Sequence, residues 1–388
     1  MPNNLSKNAD ILDDLNEMKK IDKSGMLELQ KKVPEFVQDA IERARNLVIP
    51  SDVEIKERKL KYYKDPFTRI IGAGMGGSAI SFDFLKSFLR YTNVKIPVET
   101  NRGYNLPPYA DENTLVILIS YSGNTEETLN CFLDAIDKGC PVVAITSGGK
   151  LESVCKKVGL PYVKLPSGLP PRVSIPYLFF PLLIILEKLN IHPPFEEDME
   201  ETLSILETLR DELRPETLTL DNLAKRIAIC LHNKIPLIYG NTFFDCVAYR
   251  LKCQFNENTK ILALSEVLPE MNHNGIMGWE ADKQLLEPFY PIFIRDSDEN
   301  QSIKARIEIS RDQIILKKKK QVIEILARGK AILTKMFSVT YIGDFASVYL
   351  ALLYGTNPTP VQSISLLKSK LAERTKIAND IQVRFDKL

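Results

Sequence analysis

The sequence predicts an α/β protein made of two domains, each a doubly wound parallel sheet with helices on both faces. Three observations lead there. Short, uncharged, β-branched runs such as LVILI (Leu115 to Ile119) have the composition of strands buried on both faces. These runs alternate with helical patterns of ten to fifteen residues, as parallel sheets require. The alternation also runs once, pauses in a charged helical stretch, and starts again. A chain of 388 residues has room for two or three such domains, each with a sizeable core. No fixed-period repeat appears, so the two halves read as a duplicated architecture with a cleft between them.

Residues 1 to 25 are polar and poor in large apolar side chains, and read as a mobile arm. From Met26 to Val48 apolar residues recur at helical spacing around Pro34, predicting one or two amphipathic helices. FTRIIG (Phe67 to Gly72) is the first strand, and Ile80 to Leu89 carries the helix after it. VKIPVETN (Val94 to Asn101), LVILIS, PVVAITS (Pro141 to Ser147) and a short YVKLP complete the first set of strands. VSIPYLFFPLLIIL (Val173 to Leu186) is a buried helix, interrupted by Pro176 and Pro181 and short for a membrane span. A helical connector follows from about Glu196 to Arg226.

In the second half KIPLIYGN (Lys234 to Asn241) and PFYPIFIRD are strands. Phe243 to Phe255, QVIEILARG, Phe337 to Leu353 and Val361 to Leu371 are helices. The expected segments are 1–60 for the arm and first helices, 61–165 for the first sheet domain, 166–232 for the connector and 233–388 for the second domain with its C-terminal helix.

Composition narrows the function. A net charge of +1 and a hydrophobic fraction of 44% give no broad basic surface for nucleic acid or a membrane. Lys317 to Lys320, the one compact basic run, reads as a solvated turn. Cys131, Cys140, Cys155, Cys230, Cys246 and Cys253 show no C-x-x-C spacing and read as small buried hydrophobes of a reducing compartment. The polar N-terminus lacks a signal-peptide core, so the expected location is cytoplasmic.

The chemistry concentrates in two turns. SYSGNTEETL (Ser120 to Leu129) places Ser120, Ser122, Gly123 and Thr125 between a buried strand and a helix start. Free N–H groups and the positive end of a helix dipole at that position suit a small anion such as a phosphate ester. The competing reading is a simple cap by Ser122 or Thr125, with Glu126 and Glu127 favourable in the first turn. GAGMGGSA, with Gly72, Gly74, Gly76 and Gly77 and a capping Ser78, is a second such turn. It also satisfies G-x-G-x-x-G, but the acidic partner a dinucleotide needs is represented only by Glu99, followed by Thr100, Asn101 and Arg102. Two glycine/hydroxyl turns at neighbouring strand ends would instead clamp one phosphate from two sides.

GMGGSA followed by SYSGNTEETL resembles the sugar isomerase (SIS) domain that binds phosphosugars. Arg102 to Tyr109, QFNENTK (Gln254 to Lys260), LPEMNHN (Leu268 to Asn274) and ISLLKSKL extend the match. Together they resemble the bifunctional phosphoglucose/phosphomannose isomerases of archaea and some bacteria, over residues 26 to 375. The resemblance implies two SIS-type domains, flavodoxin-like αβα sandwiches. It implies aldose–ketose isomerisation among glucose 6-phosphate, fructose 6-phosphate and mannose 6-phosphate through a cis-enediolate.

By motif match Glu257 is the base that moves a proton between C1 and C2, and Arg172 balances the enediolate charge. His273 opens the ring from across a dimer interface, and Lys368 assists. Gly76, Gly77, Ser78, Ser120, Ser122 and Thr125 hold the phosphate. Glu270 ranks second as base and reads better as a support of the histidine loop. Lys370 competes with Lys368, but two residues on a helix point about 200° apart. The apolar face Ile364–Leu367–Leu371 leaves Lys368 adjacent to it.

His192 and His232 read as structural. No metal constellation and no cofactor are expected, because three histidines are too few and poorly spaced. A phosphosugar-sensing module without catalysis is the alternative. The isomerase half of an aminosugar synthase is a weaker one, since that enzyme needs an N-terminal cysteine and this chain begins Met1-Pro2.

Overall fold

The computed structural model describes residues 3–63, 67–375 and 377–388, so Met1 and Pro2 lie outside the described residues. The chain divides into two compact units, Glu35–Phe195 with Val361–Leu388, and Met1–Pro34 with Glu196–Pro360. These differ from the expected segments at both ends. The N-terminal residues belong with the second sheet, the C-terminal helices with the first, and the connector is divided at Glu196.

In the first unit a small hairpin, β1 (Asp52–Ile55) and β2 (Arg58–Lys61), precedes the sheet. The sheet has five parallel strands, β3 (Arg69–Ala73), β4 (Val98–Asn101), β5 (Thr114–Ser120), β6 (Val142–Thr146) and β7 (Tyr162–Lys164). Their order is β4-β3-β5-β6-β7. Every residue of β5 is buried, as its apolar run predicts for a central strand. The strand order reverses between β3 and β5. The helix after β3 (Gly77–Leu89) therefore crosses over one face, and those after β5 and β6 (Glu126–Lys138 and Gly149–Val158) cross over the other. Phe84 meets Phe179 of the buried Ile175–Lys188 helix at 6.2 Å, and Phe132 meets Phe385 of the last helix, Ile377–Asp386, at 5.5 Å. The helix Gln362–Arg374, which precedes the last one in the chain, keeps its apolar side largely in solvent, with Leu366 and Leu367 61% and 67% exposed.

The second unit repeats the winding with four parallel strands, β8 (Ile235–Asn241), β9 (Leu264–Leu268), β10 (Phe289–Arg295) and β11 (Ile323–Leu326), in the order β11-β10-β8-β9. The helical expectation for QVIEILARG is corrected here. Its centre is β11, paired in parallel with β10, and Ile323 and Ile325 point inward while Glu324 and Leu326 point out. The period is two rather than 3.6, and β-branched residues favour it.

The helix Ile332–Leu353 is long and apolar enough to cross a membrane by composition. It is the core helix of this unit, buried along its length. The described part of the expected mobile arm, residues 3–25, is not an arm. The helices Asn3–Asp13 and Leu15–Ile21 bury Leu12 and Met18 in this unit. Asp13 accepts hydrogen bonds from the Thr219 amide and hydroxyl at 2.9 and 2.8 Å and from the fully buried Lys225 ammonium at 3.1 Å. A polar composition hid the two apolar anchors and the acid that neutralises an internal lysine. Lys317 to Lys320 is not simply solvated either. Lys318 and Lys319 donate to the carbonyls of Glu280, Ala281, Leu286 and Glu287.

Candidate active site

β3 and β5 are hydrogen-bonded neighbours on either side of the strand-order reversal, where open α/β sheets bind ligands at the carboxyl edge. Both glycine/hydroxyl turns lie there. After β3 the chain turns at Gly76, whose φ of 54° is open to glycine, and the Gly77–Leu89 helix begins at once. Gly76 occupies the cap position, so Ser78 is not the cap. It lies in the first turn with its side chain almost wholly buried. A Cβ on Gly74 would lie 3.0 Å from the Ile119 carbonyl, so the first turn is tight against the end of β5.

After β5 the Ser120 and Thr125 hydroxyls are 2.9 Å apart, and the Thr125 amide donates to Ser120 Oγ at 3.4 Å. Thr125 occupies the cap position of the Glu126–Lys138 helix, yet its side chain makes no cap bond. The simple-cap reading therefore fails for Thr125, and its hydroxyl is turned toward Ser120. Ser122 is exposed and its Oγ accepts the Asn124 amide at 3.3 Å. Gly123 has a φ of 69°, and a Cβ there would come within 1.7 Å of the Gly148 carbonyl, so the turn admits no side chain. Two 13-residue helices thus aim their N-termini past hydroxyls and backbone amides at one edge of the sheet. Such a cradle favours a dianion.

Arg172 belongs to the same unit. It lies in the short helical turn Pro171–Val173 and is 4% exposed. The Pro171 carbonyl would sit 3.5 Å from a Cβ on Gly77, which places the arginine turn against the start of the Gly77–Leu89 helix. Tyr121, inside the SYSGNT turn, ties the preceding loop down. Its hydroxyl donates to the Pro166 carbonyl at 2.8 Å and accepts the Leu169 amide at 3.0 Å. Glu99, the acid the dinucleotide reading relies on, accepts a hydrogen bond from Tyr109.

In the second unit Glu257 lies between two asparagines, Asn256 and Asn258, a pattern that favours a polar loop over a helix face, yet it stands on a helical turn. The Asp245–Gln254 helix continues into a π-helical turn, Phe255–Thr259. Gln254, Phe255, Asn258 and Thr259 are buried, while Asn256 and Glu257 take the outer side, half-buried. The inner side is fastened to the Ile332–Leu353 helix. Asn258 Nδ2 donates to Ser347 Oγ at 2.8 Å, the Thr259 hydroxyl to the Ser347 carbonyl at 2.9 Å, and Gln254 Nε2 to Asp344 at 2.7 Å. Asp344 also accepts from Arg250 at 2.7 Å, and both side chains are within 3% of complete burial. Burial raises the Asp344 carboxyl above its ordinary value, and the Arg250 charge and the hydrogen bonds from Arg250 and Gln254 oppose that rise. Lys260 closes the turn from below, donating to the carbonyls of Glu257 and Pro358.

His273 is exposed on a short loop after β9. Its amide donates to the Glu270 carbonyl at 2.9 Å and Asn274 Nδ2 to the Glu270 carboxylate at 2.8 Å, so Glu270 clasps both sides of the histidine. On the Gln362–Arg374 helix Lys370 is ion-paired with Glu373 at 2.9 Å, whereas among the described residues Lys368 has no ion pair. His192 stacks on Phe195 at 3.9 Å, and His232 packs on Tyr354 and bonds Asn8.

One unit therefore brings together Gly76, Gly77, Ser78, Ser120, Ser122, Thr125 and Arg172, and the other carries Glu257 and His273. Lys368 falls with the first unit, on an exposed helix. Among the described residues no three His, Cys, Asp or Glu side chains could hold a metal ion together. The sequence reading passed over Tyr121, Asp344 and Ser347. Asp344 had a legible signal, as an acid inside the apolar run FSVTYIGDFASVYL, where a charge must be partnered.

The fold and these turns define a SIS-type protein. A glucose-6-phosphate isomerase like protein from Thermus thermophilus shares the fold with a TM-score of 0.59 at 20% identity, over 94% of this chain and 99% of that one. Residues 220–371 match the family described as the bacterial phospho-glucose isomerase C-terminal SIS domain. The bifunctional phosphoglucose/phosphomannose isomerase of Caldicellulosiruptor bescii is 40% identical over 90% of this chain and 99% of its own length. That of Aquifex aeolicus is 34% identical over 79% of this chain and 91% of its own. The chain belongs to the bifunctional phosphoglucose/phosphomannose isomerase family, and is an isomerase of phosphosugars.

Proposed function

We propose that the protein interconverts glucose 6-phosphate, fructose 6-phosphate and mannose 6-phosphate as a homodimer in the cytoplasm. The observation that carries the reading is the pair of glycine/hydroxyl turns at the β3/β5 edge, packed against the buried Arg172 turn. The turns hold the phosphate through Ser78, Ser120, Ser122, Thr125 and the Gly76–Gly77 backbone. Glu257 takes the proton from one of C1 and C2 and returns it to the other. Arg172 faces the negative charge that the cis-enediolate gains over the ground state, and a fixed guanidinium suits it because it cannot lose its own charge. His273, donated by the partner subunit, and Lys368 open the ring. Mannose 6-phosphate forms when rotation about C2–C3 presents the other face of C2 to the same base.

Purified protein is given fructose 6-phosphate with EDTA present, and glucose 6-phosphate and mannose 6-phosphate are followed separately. Both should appear, and Glu257→Gln should lower turnover by about 10²–10⁴-fold, the usual worth of a general base. Absent turnover with phosphosugar binding intact would replace this reading with a sensing module. Mixing Glu257→Gln with His273→Ala protomers should restore activity if the histidine crosses the dimer, since one site of each mixed dimer then has both groups.

A further inference from the structure

We infer that Tyr121 is a positioning residue which sets the Arg172 turn against the phosphate cradle, so that the grip on phosphate and the cation for the reaction are built as one piece. The inference rests on the reading of Arg172 given above. Tyr121 lies between two of the cradle hydroxyls, Ser120 and Ser122, so its backbone is part of the anion turn. Its backbone carbonyl accepts the Ser147 amide at 3.0 Å and the Ser147 hydroxyl at 2.6 Å, which fixes it to the end of β6. The phenol spans the 166–169 loop, donating to the Pro166 carbonyl and accepting from the Leu169 amide.

From Leu169 the chain has only Pro170 and Pro171 before Arg172. Prolines hold φ near −65°, so little slack separates the fixed amide of Leu169 from the Arg172 backbone. Beyond Arg172 the Ser174 hydroxyl donates back to the Pro170 carbonyl at 3.0 Å and closes the turn. The loop is therefore anchored at its start by a side chain from the phosphate turn and at its end by its own serine. Burial raises the phenol above its ordinary pKa, against the opposing bond from the Leu169 amide, so it remains a donor throughout the neutral range. Tyrosine fits this place because one hydroxyl both donates and accepts, while phenylalanine fills the same space and does neither.

The test is Tyr121→Phe in the full-length protein, assayed for isomerisation and for competitive inhibition by inorganic phosphate, alone and combined with Arg172→Ala. Tyr121→Phe should lower kcat by about tenfold, the scale of the hydrogen bonds it loses to the 166–169 loop. KM and the inhibition constant for inorganic phosphate should stay within about twofold, because the cradle amides and hydroxyls are untouched. In the Arg172→Ala background the same substitution should change kcat less than about twofold, as expected when it acts only through the arginine.

A full additional tenfold loss in that background, or a matching loss of phosphate inhibition, overturns the inference. So does a Tyr121→Phe enzyme with wild-type kcat. If Arg172→Ala itself keeps wild-type turnover, the assignment of the arginine fails first, and the tyrosine inference fails with it. Thermal unfolding of Tyr121→Phe separates these outcomes from a folding defect.

Discussion

Replacing Asp344 by alanine removes a carboxylate that accepts from both Arg250 and Gln254 at 2.7 Å, with the ion-paired side chains only 2% and 3% exposed. A buried guanidinium deprived of its carboxylate typically costs about 3–5 kcal/mol. Urea slopes for small proteins are about 1–3 kcal/mol per molar. A unit of this size belongs near the top of that range, so the unfolding midpoint of the second unit should fall by about 1–2 M. Trp279, the single tryptophan of the chain, is buried in that unit and donates to the Tyr239 hydroxyl, so its fluorescence follows the unit directly. Replacing the pair together, Arg250→Met with Asp344→Leu, should return most of the loss, because apolar groups of similar size are often as stable as a buried pair.

Turnover supplies the second arm. The paired replacement frees Gln254 from the long helix and loosens the π-helical turn, so kcat should drop even where the midpoint recovers. A stability loss below about 1 kcal/mol for Asp344→Ala, a midpoint shift under about 0.3 M, would refute the reasoning about burial. Recovery of both stability and full kcat in the double variant would refute the link to the Glu257 turn.

Three further outcomes follow from the geometry. Gly123→Ala, at a φ of 69° and beside the Gly148 carbonyl, must move the turn, so KM for the phosphosugar should rise at least tenfold with weaker inhibition by inorganic phosphate; unchanged values would exclude the turn from phosphate binding. Lys368→Met should lower glucose 6-phosphate turnover by about a hundredfold, while Lys370→Met, which only releases Glu373, should match wild type; the reverse order would exchange their roles. Glu201 is subject to burial, which raises its carboxyl, but the amides of Ala331 and Lys330 and the Thr334 hydroxyl bring it below its ordinary 4.5. A folded value below the unfolded one contributes stability above about pH 4.5 that is lost as pH falls through the folded value. Glu201→Gln should therefore flatten the acid side of the Trp279 unfolding profile below about pH 4.5 and leave the slope above about pH 6 unchanged.

Much of this protein is written locally, and the sequence alone determines it. The uncharged strand LVILIS, the glycines of GAGMGG and the hydroxyls of SYSGNT obey rules that act over a few residues, so the parallel sheets and the glycine/hydroxyl turns at their ends could be read directly. The motifs beyond them carried the family. What only the tertiary structure decided lies where a residue's state depends on a partner far along the chain. QVIEILARG became a strand because β10 offered an edge, and the N-terminal helices are ordered by burying Leu12 and Met18 and by pairing Asp13 with Lys225.

The same holds for the site. Asn258 reads as polar loop until Ser347 of a distant helix satisfies it, and Thr125 reads as a cap until its hydroxyl is found beside Ser120. Tyr121 carries no signal beyond its place in the motif, because the carbonyl and the amide it holds belong to a loop some fifty residues away. Backbone propensity is a property of neighbours in sequence, whereas satisfying a buried polar group is a property of neighbours in space.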